Sequence, residues 1–319
     1  MAEFLQVPYL QPNSDESDLR PEQSSAFNIL DLHLPSASLT ASIPLVVFIH
    51  GGAWRAGKPS SFSDIAKGIS SRGFGVAVVG YRLSTLGKGE GPVARIKHPQ
   101  HVKDVAAGVA WLLAASEGLV GSSEAANVLK AWKPKSFFVV GHSAGAQIGS
   151  ILALDASFIQ NALNVLVQGS ATFNQTSWMN KIRGYIGVEG IYDIPLIIKN
   201  FPTYKDWFID AAFGLESDNG WVIGSPTLTN AFNPPLTESI NNGIKLASHL
   251  VIHSTGDELV DVVQSKEWYD KLVSLRTGTP GADNWVLHYD ATSMTEKHDD
   301  VLLADRFYDL VANWIKSNE

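Results

Sequence analysis

The chain has 319 residues, a formal net charge of -8 and no cysteine. The acidic balance repels phosphate backbones and anionic lipid, so neither nucleic acid nor a membrane is an expected partner; the missing thiols exclude a disulfide framework, a thiolate zinc site and a cysteine nucleophile. With 45% hydrophobic and 18% charged residues the sequence is apolar enough to bury a large core, and its length fits a single α/β domain over residues 1–319.

Residues 1–25 read as an N-terminal extension in which Pro8, Pro12, Asp15, Glu16 and Asp18 interrupt any apolar stretch, so no secretory signal is expected. No run approaches a membrane span, and a soluble, cytoplasmic protein is predicted. Residues 28–34 alternate and predict an antiparallel strand near a sheet edge. A strand over 44–50 then runs into His50-Gly51-Gly52-Ala53-Trp54. The Gly-rich turn can present backbone N–H groups without side-chain obstruction, which suits an oxyanion hole made by Gly52, Ala53 and Ala144. A helix over 63–71, a strand over 75–81 and a helix over 100–115 follow from their apolar spacing.

The strand over 136–141 leads into Gly141-His142-Ser143-Ala144-Gly145, a G-x-S-x-G pattern followed by a helix over 144–154. A sharp strand-to-helix turn there would lift the Ser143 hydroxyl above the sheet as a nucleophile. After a strand over 182–188, residues 195–245 break the rhythm and are read as a cap-like insertion over the strand ends, either packed on itself or forming a pocket wall. A strand over 249–254 precedes Asp257, which falls between nucleophile and base in the order Ser, Asp, His; Glu258 and Asp261 are close rivals for the acid, and Asp193 a weaker one. A helix over 264–275, a strand over 285–289, a turn-rich stretch over 291–297 and a helix over 300–315 complete the chain. Of nine histidines, His298 is the expected base, because it lies between the last strand and the last helix, although beside Asp299 and Asp300 it would also suit a helix start. Alternation of strands and helices predicts a mostly parallel twisted sheet covered on both faces, the α/β-hydrolase fold.

HGGAW at 50–54, YRLS at 81–84, GHSAG at 141–145, EGIYD at 189–193, IHSTGDELV at 252–260 and KHDDV at 297–301 together resemble the kynurenine formamidase (arylformamidase) branch of the hormone-sensitive-lipase-like esterases. The resemblance implies hydrolysis of N-formylkynurenine to kynurenine and formate, with Trp54, Tyr81 and Tyr192 contacting the anthraniloyl ring. Departures from that family are expected near 86–97 and 195–245. A carboxylesterase for small acyl or aryl esters would use the same groups, and a non-catalytic ligand-binding protein shares the fold. No H-E-x-x-H or ligand cluster is present, so neither metal nor other cofactor is expected. The expected partners are a small-molecule substrate and, at most, a second copy of the chain in a homodimer.

Overall fold

The computed structural model describes residues 2–10, 21–35, 43–88, 90–121, 123–167, 175–229 and 232–319. Eight strands form one sheet: β1 Ala2–Pro8, β2 Ile29–Leu34, β3 Leu45–Ile49, β4 Gly75–Val79, β5 Phe137–His142, β6 Ile182–Val188, β7 Ser248–Ile252 and β8 Leu287–Asp290. Their spatial order is β1-β2-β4-β3-β5-β6-β7-β8. The pairs β1–β2 and β2–β4 are antiparallel and every other pair is parallel, the α/β-hydrolase arrangement.

The central strands are apolar along their whole length because helices cover both faces. Side chains alternate between those faces. Leu45, Val47, Ile49, Phe137 and Val139 join one core cluster with the helices Gln100–Ser116 and Ala144–Leu154, while Val46, Phe48, Phe138 and Val140 join the other with the helices Ser63–Ser70 and Asp305–Asn318. The Ala-rich helix Gln100–Ser116 is buried along nearly its whole length, which its small side chains permit. Its Asp104 is held by Arg82 at 2.7 Å and receives the Arg82 backbone N–H at 3.0 Å.

One expectation about the N-terminus changes, while the antiparallel strand anticipated over 28–34 does lie near the sheet edge. Residues 2–8 of the anticipated extension form β1, and β2 therefore lies one strand in from the edge, where it is almost wholly buried. Residues 11–20 of that extension lie outside the described residues. The last anticipated helix divides into a 3-10 turn, Asp300–Leu303, and the helix Asp305–Asn318. Between β6 and β7 the described residues make a series of short helices, beginning with Ile194–Asn200, at whose start Asp193 accepts the Leu196 N–H at 2.8 Å. Part of this segment packs inward through Phe213 and Trp221 and part reaches the site described next. No helix among the described residues is long and apolar enough to cross a membrane.

Candidate active site

β5 ends at His142 and the helix begins at Ala144, so Ser143 alone makes the reversal, with φ 54° and ψ -120°. A residue with a Cβ is strained there by about 1–3 kcal/mol, a cost the surrounding structure must offset. The helix passes so close to β3 that a Cβ on Gly145 would overlap the Ile49 carbonyl oxygen. That close approach is what the second glycine of the motif permits.

Three backbone bonds then align the strand ends. Ser143 N–H donates to Val188 O at 2.9 Å, Glu189 N–H to Ile252 O at 2.9 Å and His253 N–H to Asp290 O at 2.8 Å. The segments leaving β5, β6, β7 and β8 are thereby laid side by side at the carboxyl edge, where ligands of such sheets bind.

Asp257 sits on the loop after β7. Its Oδ1 accepts the N–H groups of Leu259 and Val260 at 2.9 Å each, and its Oδ2 accepts His298 Nδ1–H at 2.9 Å. A carboxylate can only accept, so this bond fixes the proton on Nδ1 and leaves Nε2 with a free lone pair. Burial pushes the Asp257 carboxyl up, but the hydrogen bond and charge of His298 and the two amides outweigh it and hold the group below its usual range. The backbone of His298 is held as well: its N–H donates to Glu258 Oε2 at 3.2 Å, and its carbonyl accepts His142 Nε2–H at 3.0 Å. The rival acids are engaged elsewhere, Glu258 in that bond, Asp261 accepting Val263 N–H at 3.1 Å, and Asp193 at the start of its own helix.

The turn after β3 carries three consecutive left-handed residues, Gly52 at φ 106°, Ala53 at 51° and Trp54 at 56°. Gly52 O accepts the N–H groups of Arg55 and Ala56 at 3.0 Å, closing the turn. Beneath it the neutral His50 ring is stacked between Phe62 and Tyr81 and donates Nδ1–H to Gly51 O at 2.8 Å. Among the described residues, the N–H groups of Gly52, Ala53 and Ala144 meet no protein acceptor.

Ser143 and His298 open onto one cavity of about 400 Å³, with Gly52 and Ala53 on its floor and Tyr204, Trp207 and Phe208 as an aromatic wall. Arg55 and Asp299 bring opposite charges to its lining. Donor atoms of Glu189, Asp257 and His298, and likewise of His142, His298 and Asp299, lie within 4.8 Å of one another. Both sets share His298; its Nδ1–H is already donated to Asp257, so a cation bound through Nδ1 would have to displace that bond.

The profile of the BD-FAE family matches residues 30–272, the greater part of the chain. The chain belongs to the BD-FAE family. Among its relatives, a kynurenine formamidase of Meyerozyma guilliermondii is 27% identical over 71% of this chain and 70% of its own length. The kynurenine formamidase avaC of Aspergillus versicolor is 26% identical over 84% of this chain and 87% of its own. A probable isoprenylcysteine alpha-carbonyl methylesterase, ICMEL1, of Arabidopsis thaliana is 26% identical, and the match covers 96% of this chain but 56% of that longer protein. In fold, the chain is similar to a truncated carbohydrate esterase from gut microbiota, with a TM-score of 0.64 at 14% identity over 100% of this chain and 96% of the other.

For this BD-FAE protein one sequence expectation is corrected. Trp54, Tyr81 and Tyr192 do not line the cavity but are fully buried. Trp54 donates Nε1–H to Gln147 at 3.1 Å and packs edge-on against Phe213, Tyr81 donates its hydroxyl to His50 O at 3.0 Å, and Tyr192 stacks on Trp268. Their bulk fills the space beneath the loops, and the rings that line the cavity, of which Trp207 is exposed, come from the segment after β6 instead. Sequence reasoning also passed over Glu189 as a candidate site residue, although it follows β6 at the same level as Ser143 follows β5.

Proposed function

We propose that this BD-FAE member is a serine hydrolase that deformylates N-formylkynurenine. The observation that carries the reading is the His298–Asp257 bond at 2.9 Å, which leaves Nε2 unprotonated in the cavity that holds the Ser143 hydroxyl. His298 takes the Ser143 proton as the oxygen attacks the formyl carbon, and the developing oxyanion settles on the N–H groups of Gly52, Ala53 and Ala144. Asp257 stabilises the imidazolium and remains ionised. The imidazolium then protonates the departing aniline nitrogen, and water deprotonated by His298 releases formate from the formyl ester of Ser143.

Substrate choice draws support from the kynurenine formamidases among the relatives and from the cavity itself. Its aromatic wall suits an anthraniloyl ring, and Arg55 and Asp299 complement an α-carboxylate and an α-ammonium. The methylesterase and carbohydrate esterase relatives favour a second reading, a carboxylesterase for small acyl or aryl esters, which would use the same groups.

Turnover of N-formylkynurenine set against p-nitrophenyl acetate separates the two. A higher kcat/KM for the formamide is expected, and a large preference for the ester refutes the deformylase reading. Ser143→Ala should lower kcat by about 10^4-fold or more, since members of such a constellation act as a unit. Retention of most activity removes Ser143 as the nucleophile, and no fluorophosphonate adduct on Ser143 in the native protein returns the chain to the ligand-binding reading.

A further inference from the structure

A second carboxyl faces the ring of His298 and has no part in the mechanism above. Glu189 leaves β6 with φ 50°, a left-handed conformation that a side chain disfavours, and it is fully buried. Its Oε1 accepts Ser254 N–H at 3.2 Å. Its Oε2 lies 3.3 Å from His298 Nδ1 and 3.6 Å from His142 Nε2, yet has no hydrogen-bond partner. Nδ1 carries one proton, and Asp257 at 2.9 Å already takes it. Leaving a buried polar atom unpaired costs about 1–3 kcal/mol, and the strained backbone adds to that, so the arrangement calls for a compensating role.

We propose that Glu189 is a second positioning carboxyl for His298, able to accept the Nδ1–H hydrogen bond when Asp257 is absent. The inference rests on the assignment of His298 as the base. Two carboxylates this close to one imidazole do not both ionise, and the one with fewer donors stays protonated. Asp257 receives two amides and the imidazole, whereas Glu189 receives one amide. Burial, and next the Asp257 charge, push Glu189 up to about 10, in line with that ordering. The groups facing it are His142 at the end of β5, Tyr192 on its own segment, Asp257 and Glu258 from the loop after β7, and His298 and Asp299 from the loop after β8. In the intact protein the undissociated acid fills the space beside the imidazole without adding a second charge. Once the Asp257 charge is removed, Glu189 releases its proton to solvent and accepts Nδ1–H.

The test is a double-mutant cycle on hydrolysis of p-nitrophenyl acetate and N-formylkynurenine, with Glu189→Gln placed in the native and the Asp257→Ala backgrounds. The loss of kcat caused by Glu189→Gln should be at least about ten-fold larger in the Asp257→Ala background. Equal factors in the two backgrounds overturn the proposal, since a purely structural role is additive. A reading that does not need the double variant to fold is the downfield proton resonance of Nδ1–H in Asp257→Ala. Its persistence supports transfer to Glu189, and its loss refutes it. A His298→Ala arm separates the two levels: near-native activity there overturns the base assignment, and the proposal falls with it.

Discussion

Mild acid should destabilise this protein through imidazoles that take no proton in the proposed mechanism. His50, His101, His142 and His249 are buried and neutral, and burial lowers them to about 4, 3, 3 and 3, respectively. In the unfolded chain each binds a proton near pH 6.5, so between these limits the unfolded state holds more protons and stability falls as pH falls. At a pH of about 5.5 each ring should have cost roughly 1.3 kcal/mol relative to neutrality, and the four together about 5 kcal/mol. Glu189, held protonated up to about 10, works the other way and returns about 2.7 kcal/mol over the two units between pH 7.5 and 5.5, so the net loss is about 2–3 kcal/mol out of a typical domain stability of about 5–15 kcal/mol. Urea unfolding followed by the fluorescence of the nine tryptophans, at pH 7.5 and 5.5 in otherwise equal buffers, measures the difference. His249, packed against Tyr185, Trp268 and Trp285, offers an internal control, because His249→Phe keeps an aromatic ring and should reduce the loss by about 1.3 kcal/mol. Equal unfolding free energies at the two pH values would refute the reasoning.

Gly145→Ala should destabilise the fold by about 3 kcal/mol or more, because the added methyl meets the backbone oxygen of Ile49 rather than a side chain that can turn away; thermal melting checks this, and a melting temperature within a degree of the native one contradicts it. Trp207 is 55% exposed on the cavity wall, so Trp207→Ala should raise KM for N-formylkynurenine about ten-fold and affect kcat less. Steady-state kinetics decide it, and a loss confined to kcat argues against a binding role for that ring.

What the sequence revealed and what it hid follow one physical distinction. β3 and β4 are unbroken apolar runs between turn residues, and the Gly141–Gly145 motif lies directly after a strand, so local pattern suffices for both. β1 carries no such pattern. Only Val7 among its side chains is buried, the register shifts between Phe4 and Val7, and Gln6 adopts a positive φ, so neither face repeats. Trp54, Tyr81 and Tyr192 stand beside the motifs in the chain, and proximity along the chain does not tell whether a ring faces the cavity or props the loop from beneath. Glu189 depended on register: it enters the site because β6 pairs with both β5 and β7, long-range pairings that no window of sequence displays.

The aromatic wall is tied at both ends to the loops that carry the reacting groups. Tyr204 donates its hydroxyl to Leu259 O at 3.0 Å, two residues beyond Asp257, and Arg55, just past the Gly52–Ala53 turn, donates Nη1–H to Trp207 O at 2.8 Å. Swinging this wall outward would break both straps and tug on acid and oxyanion turn together. The mouth is thus a braced frame instead of a door, and a ligand that displaces Trp207 is felt at either end of the reacting bond.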